Sequence, residues 1–171
     1  GRINHALESG LAYLKRNQEA MGLWTTWQSA GDAVVPEVLG HILEAVTACG
    51  QEGDIPLKRA VQWISEHQDL DGGWKGGLCR NFPYVQSALL RGLPAGSQPA
   101  IKGRAALLSA ANSDGGWGII PGTSSCASAT GIAVSELCRV DPDRYRGVIR
   151  QSVSFLLDRQ RANGSWECKP E

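Results

Sequence analysis

The sequence contains no run of about 18 apolar residues, so nothing in it reads as a membrane-spanning helix. No charged start followed by an apolar stretch marks a secretory signal. Net charge is lacking as well, since seventeen basic and seventeen acidic side chains cancel without long runs of one sign. That excludes the electrostatic footprint of a nucleic-acid binder or of a polybasic membrane patch. A metal-ligand spacing is also missing: the five cysteines (49, 79, 126, 138 and 168) stand far apart, with no CxxC or Cys/His pairing in sequence. Their odd number suits reduced thiols in a cytoplasmic protein, and neither a metal nor another cofactor is expected. What remains is a chain of 171 residues, 42% hydrophobic, long enough to bury one core. We read residues 1–171 as a single domain whose two ends look trimmed from something larger.

The informative feature is internal repetition. Four segments close on a glycine-containing turn and a tryptophan: "SGLAYLKRNQEAMGLW" at Trp24, "RAVQWISEHQDLDGGW" at Trp74, "KGRAALLSAANSDGGW" at Trp117 and "QSVSFLLDRQRANGSW" at Trp166. Their registers agree. A small residue stands fourteen before the Trp (Gly10, Ala60, Gly103, Ser152), an aliphatic ten before it (Leu14, Ile64, Leu107, Leu156) and glycine two before it. Gln18, Gln68 and Gln160 fall six before it, and Ala111 is the departure. Apolar residues three and four apart make one helical face in each segment. The glycine, often beside Asn or Asp, lets the chain leave the helix. A second apolar segment follows each of the first three turns, at 35–50, 82–96 and 124–140. Pro36 and Pro83 suit a first helical turn, and Ser124 or Ser125 is the expected cap of the third. Each period is therefore an antiparallel helical hairpin.

The stretch "QDLDGGWKGG" resembles a calcium loop, but the twelfth position counted from Asp69 is Arg80, where a bidentate carboxylate is required. Asp69 and Asp71 read better as residues of the hairpin turn.

The periodic pattern resembles the QW motif of the triterpene cyclases, as in the squalene-hopene cyclase family. Residues 59–74 match it throughout. Residues 9–24 and 151–166 lack only the basic start, and 102–117 lack the aromatic and the Gln. The resemblance implies an all-α, α/α toroid-type array of outer and inner helices around a cavity, similar to protein prenyltransferase β-subunits, with Gln and Trp tying neighbouring repeats together. It places outer helices at about 4–18, 56–68, 98–111 and 146–160, and inner helices at about 36–48, 83–93 and 126–139. Such rings close with about six hairpins, whereas this chain supplies three and the first half of a fourth. The array is expected to be an open arc, or to be completed by a second domain or by self-association.

The chemistry is less well marked. The DxDD acid motif and the magnesium-binding DDxxD motif of terpene cyclases are both absent, and "DPDR" at 141–144 reads as helix capping. Inner-helix residues are then the candidates. Glu37 and His41, four apart on one helix, are a possible acid/base pair, and Asp32 stands just before them. Trp27, Tyr84, Gln86, Cys126 and Thr130 are candidate substrate-binding residues, the aromatics through cation–π attraction to a carbocation. Cys79, Cys126 and His41 have the residue types of a zinc set, but the local motifs of zinc prenyltransferases are not matched. The reading is a terpene cyclase-like domain that binds a hydrophobic isoprenoid or polyketide chain and assists its cyclisation. The alternative is a non-catalytic helical-repeat interaction module. An enzyme acting on polysaccharide is disfavoured by the scarcity of Asp and Glu in the inner segments.

Overall fold

The computed structural model describes residues 2–27, 29 and 31–167; Cys168 lies outside them. Seven helices follow one another: α1 (Arg2–Arg16), α2 (Pro36–Ala48), α3 (Lys58–Glu66), α4 (Phe82–Gly92), α5 (Gln98–Ser109), α6 (Ala127–Val140) and α7 (Arg146–Asp158). Among the described residues there is no strand longer than isolated bridges, which Trp117 forms with Ala111 and Cys126. The expected all-α array of hairpins is what the chain adopts.

The four turns share one backbone hydrogen-bonding frame. In each, the N–H of the residue after the Gln position donates to the carbonyl just before the Trp: Glu19 to Leu23 (2.8 Å), Asp69 to Gly73 (2.9 Å), Asn112 to Gly116 (2.8 Å) and Arg161 to Ser165 (2.8 Å). The glycine two before each Trp holds φ between +80° and +89°, the left-handed region that side chains with a Cβ resist. The indole N–H then turns back to a carbonyl in the last turns of the preceding helix, ten residues earlier: Trp24 to Leu14 (2.8 Å), Trp74 to Ile64 (2.9 Å), Trp117 to Leu107 (2.8 Å) and Trp166 to Leu156 (2.7 Å). Carbonyls at a helix end lack intrahelical partners, so this bond fixes turn to helix. Asp71 belongs to the same device, its carboxylate accepting the Gly73 N–H at 2.8 Å.

Glutamine joins one unit to the next. The Gln18 amide donates to its own turn at Gly22 (3.2 Å) and to Pro56 (2.7 Å), at the entry to α3. Gln68 repeats this with Gly72 (2.7 Å) and Pro99 (2.9 Å), at the start of α5. Where Ala111 replaces Gln, the carbonyl in the matching place, Val148, accepts instead from the Ser152 hydroxyl (2.8 Å).

Helices α2, α4 and α6 pack side by side as one layer, and α3, α5 and α7 lie against them in turn. Leu39, Leu43, Val85, Leu89, Ala133 and Leu137 supply its buried side. Backbones of α2 and α4 approach closely because both carry glycine at the crossing. A Cβ on Gly40 would lie 2.5 Å from the Ala88 carbonyl oxygen, and one on Gly92 would lie 2.7 Å from that of Gly40. Asn81 caps α4 by accepting the Tyr84 N–H (3.2 Å), and Ser97 caps α5 by accepting that of Ala100 (3.4 Å). Helix α6 differs from expectation: Cys126 is its N-cap, while Ser125 donates to Asp114 at 2.7 Å and so serves the third turn. In the "DPDR" stretch, Asp141 accepts the Arg144 N–H at 2.9 Å and Asp143 pairs with Arg146. The array ends are unlike its middle. Helix α1 buries no residue, and Trp166 is 39% exposed where its three counterparts are buried.

Candidate functional site

The free side of the α2–α4–α6 layer carries a groove of about 490 Å³. Its floor is made of small side chains, Ala88 on α4 with Ala127, Ser128 and Gly131 on α6, which is why there is room above them. At one wall His41 of α2 meets Tyr84 of α4, Nε2 to Oη at 2.9 Å, with the rings tilted and 5.7 Å between centroids. Glu44, one turn beyond His41, places Oε2 3.9 Å from Nδ1. Tyr84 has its pKa raised by burial first, and then by the Cys79 thiol and the Glu37 carboxylate nearby. The direction of the His41–Tyr84 hydrogen bond follows the tautomer of the imidazole.

A charged row crosses the same layer. Arg91 donates to Glu44 (3.3 Å) and to Ser135 (3.3 Å), and its Nε lies 3.7 Å from Glu136. The fully buried Glu136 accepts from Arg139 at 2.6 Å and 3.0 Å. Arg139 in turn has its pKa raised, chiefly by that hydrogen bond. Two carboxylates and two guanidiniums thus neutralise one another, and the row links all three inner helices.

The other sequence candidates are placed as follows. Glu37 points away from His41: its buried carboxylate accepts the N–H groups of Gly77 (3.0 Å), Leu78 (2.7 Å) and Cys79 (3.0 Å). The carboxylate neighbour of His41 is Glu44 in its place, because Glu37 sits in the first turn of α2, facing the loop ahead of α4. Asp32 accepts the N–H groups of Trp27 and of Ala33 (3.0 Å), closing its own loop, and Trp27 projects into solvent. Gln86 is wholly buried. It accepts from the Trp74 N–H (3.2 Å) and donates to the Trp74 carbonyl (2.9 Å). Thr130 does the corresponding work one unit later, accepting the Trp117 N–H (2.9 Å) and donating to Cys126 (2.7 Å). Cys126 is half-buried beside Ser128, Sγ to Oγ 3.4 Å. Among the described residues no three His, Cys, Asp or Glu side chains gather in metal-ligand fashion. Of the eight candidates, then, His41 and Tyr84 line the groove.

Sequence reasoning missed Glu44, Arg91, Glu136 and Arg139. A signal was there: Glu44 and Arg91 stand eight residues after Pro36 and Pro83, so opposite charges share one register on adjacent inner helices.

Turn, layer and groove together define a paired-helix repeat protein of the α/α toroid type. The Squalene-hopene cyclase C-terminal domain family matches residues 27–170. The chain belongs to that family. It is similar to the drimenyl diphosphate synthase of Streptomyces showdoensis, with 28% identity over 125 residues, 67% of this chain and 24% of the relative. The chain thus spans about a quarter of that relative's length. Among the described residues no helix is long and apolar enough to cross a membrane.

Proposed function

We propose that this domain binds a lipophilic isoprenoid chain along the α2–α4–α6 groove and assists its cyclisation, with His41 as the group that moves a proton. Glu44 and Tyr84 orient the imidazole. The observation that carries this reading is the groove itself, a small-residue apolar floor on which one histidine–phenol pair faces the open space. Family membership and the name of the relative agree with a terpenoid ligand. Glu37 acts as a positioning residue, holding the 77–79 backbone whose Cys79 neighbours Tyr84. Asp32 shapes the loop that carries Trp27, and Gln86, Thr130 and Cys126 support the wall from behind.

Binding is tested with an isoprenoid diphosphate and its parent alcohol, by calorimetry on the chain. Ser128→Phe, which fills the floor, is expected to abolish binding while helicity persists. Unchanged binding in that variant refutes the location. Turnover in deuterated water is expected to place deuterium in the product, and His41→Ala to remove both. Full activity of His41→Ala refutes the proton role. The alternative, a non-catalytic interaction module, predicts no binding of either probe.

A further inference from the structure

The groove has a closed end, and the residues that close it share one register. Glu44, Arg91 and Ser135 stand eight residues beyond Pro36, Pro83 and Ala127, so they fall level with one another on α2, α4 and α6. Arg91 joins the three. It donates to Glu44 (3.3 Å) on one side and to Ser135 (3.3 Å) on the other, while its Nε donates to Ser87, one turn back on its own helix (3.3 Å). The result is a bar lying across the layer. It rises above the floor, since the Arg91 side chain is 31% exposed and Ala88, three residues earlier, only 2%. Swinging it aside breaks all three bonds at once and draws the guanidinium away from the buried Glu136, 3.7 Å from Nε. A guanidinium held in this way presents a flat, weakly hydrated face against which an apolar chain end can rest.

Two turns earlier the corresponding rung carries no bar. Its members by register are Glu37, Tyr84 and Ser128. Glu37 is turned to the 77–79 backbone, Tyr84 meets His41, and Ser128 lies against Cys126. Seven residues of helix separate Tyr84 from Arg91 and Ser128 from Ser135. That is a length of about 10 Å. An extended chain advances about 1.2 Å per bond, judged from the reach of extended polypeptide, so about eight bonds fill it. This is the span of a chain of about two isoprene units.

We propose that, in the isoprenoid site on whose assignment this rests, the Glu44–Arg91–Ser135 bar is an end stop that limits the chain the groove takes to about two isoprene units. Arg91 selects by its span between helices and not by its charge, which Glu44 and Glu136 already balance. A longer chain leaves the groove past the rung of Tyr84 and Ser128, where its excess length gains no further apolar burial.

Calorimetry of the 171-residue chain with prenyl alcohols of five, ten, fifteen and twenty carbons tests this. Affinity is expected to rise about ten-fold or more from five to ten carbons, and to change by less than about two-fold from ten to twenty. Arg91→Ala removes the bar while leaving Glu136 its two bonds from Arg139, and is expected to move the plateau to fifteen carbons. Ser135→Leu does the reverse. Residue 135 is exposed, so the change spares the core, and a helical leucine leans back over the preceding turn, across the last stretch of groove. Ten carbons should then bind no tighter than five. Circular dichroism checks that both variants keep wild-type helicity, and Ser135→Leu carries the test should Arg91→Ala not fold. Affinity that keeps climbing from ten to twenty carbons in the wild type, or a folded variant that leaves the length profile unshifted, overturns the end stop and leaves the groove as a binding site standing. Absence of binding for every alcohol overturns both.

Discussion

Replacing each turn tryptophan by phenylalanine separates the indole hydrogen bond from mere ring burial. In Trp117→Phe the Leu107 carbonyl loses its 2.8 Å donor inside a fully buried environment. Leaving a buried acceptor without a partner costs about 1–3 kcal/mol, and the smaller ring leaves a void worth roughly 1 kcal/mol more. The sum, about 2–4 kcal/mol, corresponds to a fall of roughly 5–15 °C in Tm for a chain of this size. Trp24→Phe and Trp74→Phe should behave similarly, since both rings are buried and both bonds are present. Trp166→Phe is the internal control. Its bond to Leu156 is equally short, but the ring is 39% exposed, so water can take over the carbonyl and the loss stays below about 1 kcal/mol. The assay is urea and thermal unfolding followed by far-ultraviolet circular dichroism, which does not rely on the altered fluorophore. Equal losses at Trp117 and Trp166, or a Trp117→Phe variant within about 0.5 kcal/mol of wild type, would show that the indole bond does not hold the turn to its helix.

Three further outcomes are expected. Glu37→Gln puts an amide where a carboxylate accepts three N–H groups, so stability should fall by about 2–3 kcal/mol and the amides of Gly77, Leu78 and Cys79 should exchange hydrogen faster. Tyr84 keeps its proton more tightly folded than unfolded, so its stabilising contribution holds below the unfolded value of about 10 and is lost as pH rises through the higher folded one. An alkaline absorbance titration should show a late phenolate step that Tyr84→Phe removes. The Asp114 carboxyl is pushed up by burial, but the Ser125 hydroxyl, the Gly116 N–H and Arg159 together bring it below its usual range. Its contribution is present above the unfolded pKa of about 3.9 and lost as pH falls through the lower folded value, so Asp114→Asn should flatten the acid limb of a Tm–pH profile.

The fold was legible because the hairpin turn makes a chemical demand that few residues meet. A left-handed position calls for glycine, and a helix-end carbonyl ten residues back calls for a long side chain with an N–H. A link to the next unit calls for an amide with two free hydrogens. Those needs printed the spacing at Trp24, Trp74, Trp117 and Trp166, and the helices follow from where the turns fall. Small shifts at helix ends have local causes. The span expected at 56–68 shortens to 58–66, for instance, with the Pro56 carbonyl engaged by Gln18 and His67 folded back onto Trp63 with ring centroids 3.8 Å apart.

The site was legible only in part, for a reason that also explains where it lies. Helical spacing reports which residues of one helix share a face, and on that ground Glu37 and His41 formed a pair. It does not report which backbone amides a neighbouring loop presents. Three N–H groups converging on a buried carboxylate outweigh an exposed pair four residues apart, which is worth only a fraction of a kcal/mol. The row from Glu44 to Arg139 was hidden differently, since Glu44 and Arg91 are 47 residues apart and each reads alone as a solvated charge. Contact between them requires the close crossing of α2 and α4 that Gly40 and Gly92 allow. Gly40 looks unfavourable in sequence, because glycine inside a helix costs about 1 kcal/mol relative to alanine, and Gly92 reads as no more than a helix end. Their effect appears only between helices: without them the crossing widens, and the Glu44–Arg91 and His41–Tyr84 contacts part together. The groove is therefore a property of spacing between repeats, and residues chosen from any single repeat could recover no more than the half of it that each helix carries.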